Sequence, residues 1–417
     1  MTFQTAIHSA AETAEEPFGI DEVIFSRTDK RGVIRAGNAV FRRVAGHDWD
    51  RLVGAPHRLI RSPDMPKAVF HLLWRTIPQG QPMVAFVKNR AASGNWYWVL
   101  AAVVPLEDGY LSVSIKPTGA IFAQVKALYA QLLAGEQTQG ASSEKSCEAL
   151  LGGLGALGFP SYADFSARAL EEEISLRDQA LGRNNEARSK ALSAVLGSLK
   201  STQDQQDGLL LEFDALQSIP TNMRIIASRL EPSGGPISAI SDNYKFASTE
   251  ITLRLDSFAG GAANLCWQMS DAVLTALLLS GIGRVLTDLP GQLASEDRAP
   301  SPVDFAAELR VLKASHLKYA DDANAAMGRA EQISSTLNQA SSEIRRMMLG
   351  LDTIRVMGRV ESGRLGSAGV GLASTIDQLD KRHAEISERL QRLMDLSAAI
   401  QGGIAAYRRL MGGGRAK

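Results

Sequence analysis

The segment Arg61-Ser62-Pro63-Asp64-Met65-Pro66, followed by Val87-Lys88-Asn89-Arg90 and then Trp96-Tyr97-Trp98, decides how the chain is read. Proline is tolerated in a first helical turn, and a nearby Asp or Ser can accept the orphan amide N–H groups there, so this segment predicts a helix start with Asp64 as its cap. The helix should run from about Pro66 through Val69, Phe70, Leu73 and Trp74, whose spacing of three and four makes one apolar face, until Pro78-Gln79-Gly80 ends it. Three strand candidates follow, Met83 to Asn89, Trp96 to Val104 and Tyr110 to Ile115, joined by Ala92-Ser93-Gly94-Asn95 and Glu107-Asp108-Gly109.

Upstream, Val23 to Arg27 and Gly32 to Arg35 are short β-type runs separated by Thr28-Asp29-Lys30-Arg31, which supplies turn chemistry for a hairpin. Asn38 precedes Ala39 to Ala45 with Gly46 after it, the pattern of an N-cap and a C-terminal glycine, and Asp48 to Gly54 repeats it over about one and a half turns. Two strands, short helices and three strands is the order of a small α+β domain with a five-stranded antiparallel sheet. Asn89, on an otherwise apolar strand, and Arg61 are polar groups that an apolar slot in such a domain could turn to a ligand.

The run R-S-P-D-M-P-K-A-V-F-H-L-L-W and the later V-K-N-R-x4-N-W-Y-W-V resemble the flavin-binding PAS domain of the aerotaxis receptor family over residues 20 to 117. The resemblance implies FAD held noncovalently, with its redox state reporting on respiration. It implies polar positions around the flavin at Asn38, Arg61, Asp64 and Asn89, with Trp74 and Trp98 in or behind the wall. The family's histidine after the arginine is Ser62 here, and its pocket tryptophan is Met83, which can pack on a ring without supplying an indole N–H. Asn38 and Asp64 serve equally as helix caps, and both tryptophans as plain core. A flavin–cysteine adduct is not expected, since Cys147 and Cys266 lie outside this segment. Haem, for which His57 or His71 would be the axial ligand, is the lesser alternative.

Composition bounds the rest of the 417 residues. Lys+Arg and Asp+Glu both total 45, so no global field favours nucleic acid. The two cysteines lack metal spacing, which fits a reducing cytoplasm. The N-terminus lacks a basic segment followed by an apolar core, and the apolar run Ala272 to Ile282 is shorter than the roughly 20 residues a membrane span needs. A soluble cytoplasmic protein without membrane insertion is expected. No dinucleotide fingerprint, Walker loop, nucleophile elbow, transmitter motif or metal cluster occurs, so the chain is not expected to be an enzyme.

Beyond Pro117 the chain reads as helix. Phe122 to Ala134 predicts a short helix and Gly135 to Glu144 a linker. The glycine-punctuated Leu150 to Gly158 has no assigned role, and Glu171-Glu172-Glu173 reads as a solvated charge run. Three series of alternating three- and four-residue steps follow, Leu192 to Leu230, Leu309 to Ile354 and Leu372 to Tyr407, the periodicity of coiled-coil or bundle packing. His316 and His383 fall on seams, where a polar residue setting register is the first reading. Breaks at Glu231 to Pro236, Asp288 to Pro302 and Gly363 to Gly371 predict two antiparallel hairpins. The chain thus divides into a flexible N-terminus (1–17), a PAS sensor (18–117), a connecting helix and linker (118–160), a first helical hairpin (161–300), a second (301–411) and a flexible tail (412–417).

The hairpins resemble the cytoplasmic signalling part of chemoreceptors, which implies a homodimer acting with a chemotaxis kinase and its coupling protein. The family's charged tip is replaced here by Glu231-Pro232-Ser233-Gly234-Gly235. A cofactor-free scaffold that dimerises and recruits partners is the alternative function.

Overall fold

The Thr28-Asp29-Lys30-Arg31 turn closes because the Asp29 carboxylate accepts from the Arg31 and Val33 amides at 2.9 and 3.0 Å. Those bonds and Arg35 hold its pKa down at about 2. In this computed structural model the turn joins β1 (Ile24–Asp29) to β2 (Ile34–Gly37). The structure describes residues 14–183, 186–230, 234–261, 264–296, 303–366 and 370–412. The expected flexible segments 1–13 and 413–417 and the break residues 231–233, 297–302 and 367–369 lie outside the described residues, as does the Leu192 side chain. Residues 14–16, grouped with the flexible terminus, instead pair with Trp96, Glu16 N–H donating to its carbonyl at 2.7 Å.

β3 (Met83–Arg90), β4 (Trp96–Pro105) and β5 (Gly109–Ile115) complete an antiparallel sheet of order β2-β1-β5-β4-β3. This is the expected five-stranded α+β fold. Helices α1 (Ala39–Ala45), α2 (Trp49–Leu52) and α3 (Lys67–Thr76), with 3₁₀ turns at His57–Ile60 and Ile77–Gln79, connect β2 to β3. Asn38 caps α1 by accepting from Phe41 N–H, and Gly46 ends it at φ 67°, a left-handed conformation that costs glycine least. Asp64 does not cap α3. Its carboxylate binds Lys88 Nζ at 2.5 Å, and the Lys67 amide donates instead to Glu136 Oε1 at 2.8 Å.

The helical region departs further from expectation near the sheet. α4 (Ala120–Gln139) runs through the expected linker, and α5 (Ser143–Ala156) takes up the glycine-rich stretch. Leu150, Leu154, Ser146 and Cys147 are buried there, and a Cβ on Gly153 would meet Leu128 of α4 at 2.4 Å, so the glycine allows the close approach. The Glu171-Glu172-Glu173 run of α6 (Tyr162–Ala180) is not solvated. Glu173 is 1% exposed, and its carboxylate accepts from Thr118 N–H and Gly119 N–H at 2.7 and 2.8 Å, while Glu172 accepts from Ile121 N–H at 2.9 Å. They satisfy the orphan donors of α4, whose own N-cap, Gly119, has no side chain.

Four more helices follow: α7 (Glu186–Ser228), α8 (Gly235–Ala259), α9 (Leu265–Glu296) and α10 (Phe305–Arg364), and after them α11 (Val370–Gly412). The expected break at Asp288 is absent, since α9 continues through Pro290. The 29-residue stretch Leu265–Leu293 of α9 holds an 18-residue window of mean hydropathy 1.6, long and apolar enough to cross a membrane, contrary to the shorter run expected. It is nevertheless a core helix, with 78% of that window buried.

The described residues fall into two compact units. One holds residues up to 183 with Leu274–Asn324, the other Glu186–Val273 with those from Ala325 onward. α6 and most of α9 therefore belong with the sheet, not with the first hairpin. In the second unit α7 packs against α8 and α11, and α10 is tied to α11 by Ser334 Oγ donating to Ser397 O and by Arg345 donating to Gln391. Every seam position from Leu372 to Tyr407 is buried. His383 sits on that seam, its Nε2 2.5 Å from Tyr244 Oη and its Nδ1 2.7 Å from Asp352 Oδ1. His316 is half-buried, with Nδ1 3.0 Å from Gly283 O.

Candidate functional site

Alternation along the strands builds the site. In an antiparallel pair, residues directly opposite share a face. Val87 pairs with Val99 and Asn89 with Tyr97, and all four look into a cavity of about 570 Å³ between the sheet and the α1 to α3 connection. β1 contributes Ile24, Ser26 and Thr28, and the helices add Phe41, Ile60, Leu73 and Ile77. The volume lies in the range of sites for small organic cofactors.

The lining is mainly apolar, with hydroxyls from Ser26, Thr28, Ser112 and Ser114 on the sheet and further polar groups at Arg61, Asn89, Tyr97 and His57. Asn89 is 7% exposed, and the backbone of Arg61 bridges it, so the Arg61-to-Pro66 segment lies along β3. Arg61 lines the mouth with its guanidinium 3.6 Å from the Phe70 ring centroid, and burial lowers its pKa from the ordinary arginine value. Tyr97 Oη is buried without a hydrogen-bond partner, and burial raises its pKa. His57 stacks on Phe41 at 6.1 Å with Nε2 3.2 Å from Ser26 Oγ; desolvation brings its pKa down to about 4.

Of the residues expected around a flavin, the structure brings together Arg61, Asn89 and Trp74. Trp74 is 46% exposed, meets Tyr110 edge-on at 5.7 Å and closes the cavity over Gly32. The others stand elsewhere. Asn38 is fully buried behind β1, donating to Val23 O at 2.7 Å and accepting from Phe25 N–H and Phe41 N–H at 3.0 Å each. Its carbonyl oxygen is committed to two backbone amides, and the side chain is sealed from the cavity. Asp64 is turned outward onto Lys88. Trp98 occupies the opposite face of β4, packed on Phe122 and Tyr129 of α4 at 5.3 and 6.3 Å. Met83 is buried at the start of β3 on the cavity side but beyond the lining residues.

Sequence reasoning missed Tyr97 as a site residue, weighed His57 only as a haem ligand, and passed over Ser26. The signal for Tyr97 was its parity with Val99 on β4. That strand, however, is apolar on both faces because helices cover its back, and a doubly buried strand shows no alternation.

No family model matches the chain. Over 137 residues, 32% of the chain, it is 36% identical to the aerotaxis receptor of Escherichia coli (strain K12), covering 27% of that protein. Over 84 residues it is 31% identical to the nitrogen fixation regulatory protein of Klebsiella pneumoniae, covering 20% of this chain and 17% of the relative. The chain thus spans about a quarter or less of the length of these relatives. It is similar in structure to the dark form of the blue-light photoreceptor Aureochrome1 LOV, with 21% identity and a TM-score of 0.22, over 28% of this chain and 86% of that one. For the Erythrobacter litoralis blue-light activated histidine kinase the values are 13% and 0.22, over 40% and 57%. The strand order and connecting helices define the N-terminal domain as a PAS domain. The sequence likeness makes it one of the aerotaxis-receptor type, joined to a helical region.

Proposed function

We propose that the chain is a signal-transduction sensor whose PAS cavity holds a flavin, FAD being the form the aerotaxis-receptor likeness implies, and that the redox state of that flavin is the signal. The observation that carries this reading is a mainly apolar cavity of about 570 Å³ lined by Asn89 and by Tyr97, whose buried hydroxyl has no hydrogen-bond partner. A buried hydroxyl without a partner costs free energy, and a heteroaromatic ring with acceptors at its edge would relieve it. Ile24, Val87 and Val99 would exclude water from the ring, Asn89 and Tyr97 would orient its polar edge, and Arg61 would face a phosphate. Bound there, a flavin would supply reversible electron uptake.

Output on this reading starts from β1. Ser26 and Thr28 face the cavity, and Arg27 between them faces outward, where Glu308 in the first turn of α10 receives its Nε and Nη2 at 2.9 and 2.7 Å. A shift of β1 would bias α10 directly, and a shift of β3 and β4 would act on α4 through Phe86, Trp98 and Phe122. The protein would work in the cytoplasm as a homodimer, reporting to a chemotaxis kinase and its coupling protein. It would act without catalysis, nucleic acid or membrane insertion.

The test is the colour of the purified protein. A bound flavin absorbance that bleaches with anaerobic dithionite supports the reading. A colourless protein that takes up no flavin removes it and leaves the cofactor-free scaffold.

A further inference from the structure

The second unit holds a buried titratable group that the flavin reading leaves unused. His383 of α11 is 4% exposed and lies on the seam between Leu379 and Ile386, both fully buried. Its Nδ1 stands 2.7 Å from Asp352 Oδ1 of α10 and its Nε2 2.5 Å from Tyr244 Oη of α8. A carboxylate only accepts, so Nδ1 carries the ring proton, and Nε2 is left as the acceptor for the Tyr244 hydroxyl. All three contacts are satisfied when the imidazole is neutral.

Charged groups of each neighbouring helix bear on the ring. α10 adds Arg355, which lies 3.4 Å from Asp352 and pairs with Asp380 of α11. Arg382, beside the histidine in sequence, turns to Glu212 of α7. Burial lowers the His383 pKa from its ordinary value, Asp352 opposes that shift, and Arg355 adds to it. Tyr244 is completely buried and Asp352 half-exposed, so the chain runs from solvent into the core and gives a proton a way in.

A second proton on the imidazole breaks this arrangement. Nε2 becomes a donor aimed at Tyr244 Oη, and the hydroxyl's own proton must find another acceptor inside a completely buried site. We infer that the Tyr244–His383–Asp352 chain is a proton-sensitive clasp on the helical bundle, holding α8, α10 and α11 together while His383 is neutral and releasing them when the ring is protonated. Acid is thereby a second input to the bundle, and it needs nothing from the flavin. Because the closed bundle depresses the histidine's pKa, the open bundle takes up the proton first, and the clasp weakens as pH falls below about 6.5.

The test is a histidine titration of the full chain by NMR, with carbon-13 in the imidazole rings and the His383 signal identified by its loss in His383→Gln. That signal should show the Nδ1–H tautomer and titrate below the pH of about 6.5 at which a free histidine does. Tyr244→Phe, which removes the donor to Nε2, should move the midpoint up. Asp352→Asn, which removes the carboxylate that favours imidazolium, should move it down. Amide exchange of the α8, α10 and α11 segments, corrected for the chemical rate, should report opening about threefold to tenfold more frequent at pH 5.5 than at pH 7.5, tenfold being the limit one unit below 6.5. The increase should vanish in His383→Gln, whose PAS-domain exchange at pH 7.5 shows that the variant is folded. An equal acid response in His383→Gln, a wild-type midpoint at or above 6.5, or variants that shift it the same way would overturn the clasp and leave the flavin reading untouched.

Discussion

Two asparagines of the PAS domain carry the same functional groups and do opposite work. Asn38 satisfies the Phe25 and Phe41 amides and the Val23 carbonyl within the core. Asn38→Ala should cost about 2–4 kcal/mol in urea unfolding, because two buried N–H groups lose their acceptor. Asn89 faces the cavity, so Asn89→Ala should change stability by less than about 1 kcal/mol and act on flavin retention instead. Asn38 was legible as a cap from its place before Ala39-Val40-Phe41. Asn89 was legible as the polar residue of an otherwise apolar strand, whereas the role of its partner Tyr97 depended on strand parity, which β4 conceals by being apolar on both faces. His57 supplies a pH test. Its folded pKa of about 4 lies below the ordinary 6.5, so the unfolded chain binds the proton first and stability falls as pH drops from about 6.5 toward 4. The full effect should be on the order of 3 kcal/mol, and His57→Gln should flatten that part of the profile by comparison with wild type.

At the scale of elements, the strands and short helices of the PAS domain were readable because their signals are local: turn chemistry at Asp29, a cap at Asn38, glycines at the ends. The helices behind the sheet were not, because tertiary partners decide them. Glu171-Glu172-Glu173 looks solvated in sequence. The clue lay at the other end, since a helix beginning after Thr118-Gly119 brings no capping side chain and must find an acceptor elsewhere. Glu173→Ala should strand the Thr118 and Gly119 amides and cost about 2–4 kcal/mol in unfolding of the sheet-containing unit. Glu173→Gln, keeping one acceptor oxygen, should lose less. Likewise Leu150 to Gly158 has no role legible in sequence, because Leu128 of another helix fills the space that Gly153 leaves.

For the whole molecule, heptad spacing foretold the long helices, and the α11 seam holds from end to end. What spacing could not give is which helices return to the sheet. α9 and α10 each place residues in both compact units. Within the bundle, Tyr244, His383 and Asp352 join α8, α11 and α10 through one buried hydrogen-bond chain. Tyr244→Phe and His383→Leu singly should each destabilise by about 1–3 kcal/mol, and the double variant by less than the sum, since it leaves no orphaned partner between them. That cycle, read from urea melts, tests the network as a register device.

The central claim is that the PAS cavity is a flavin site, and filling it tests this most directly. Ala101 lines the cavity and is 7% exposed. Wild-type apoprotein titrated with FAD should take up one flavin per chain, while Ala101→Trp, folded by circular dichroism, should take up none. Equal uptake by both, or none by the wild type, would contradict the account.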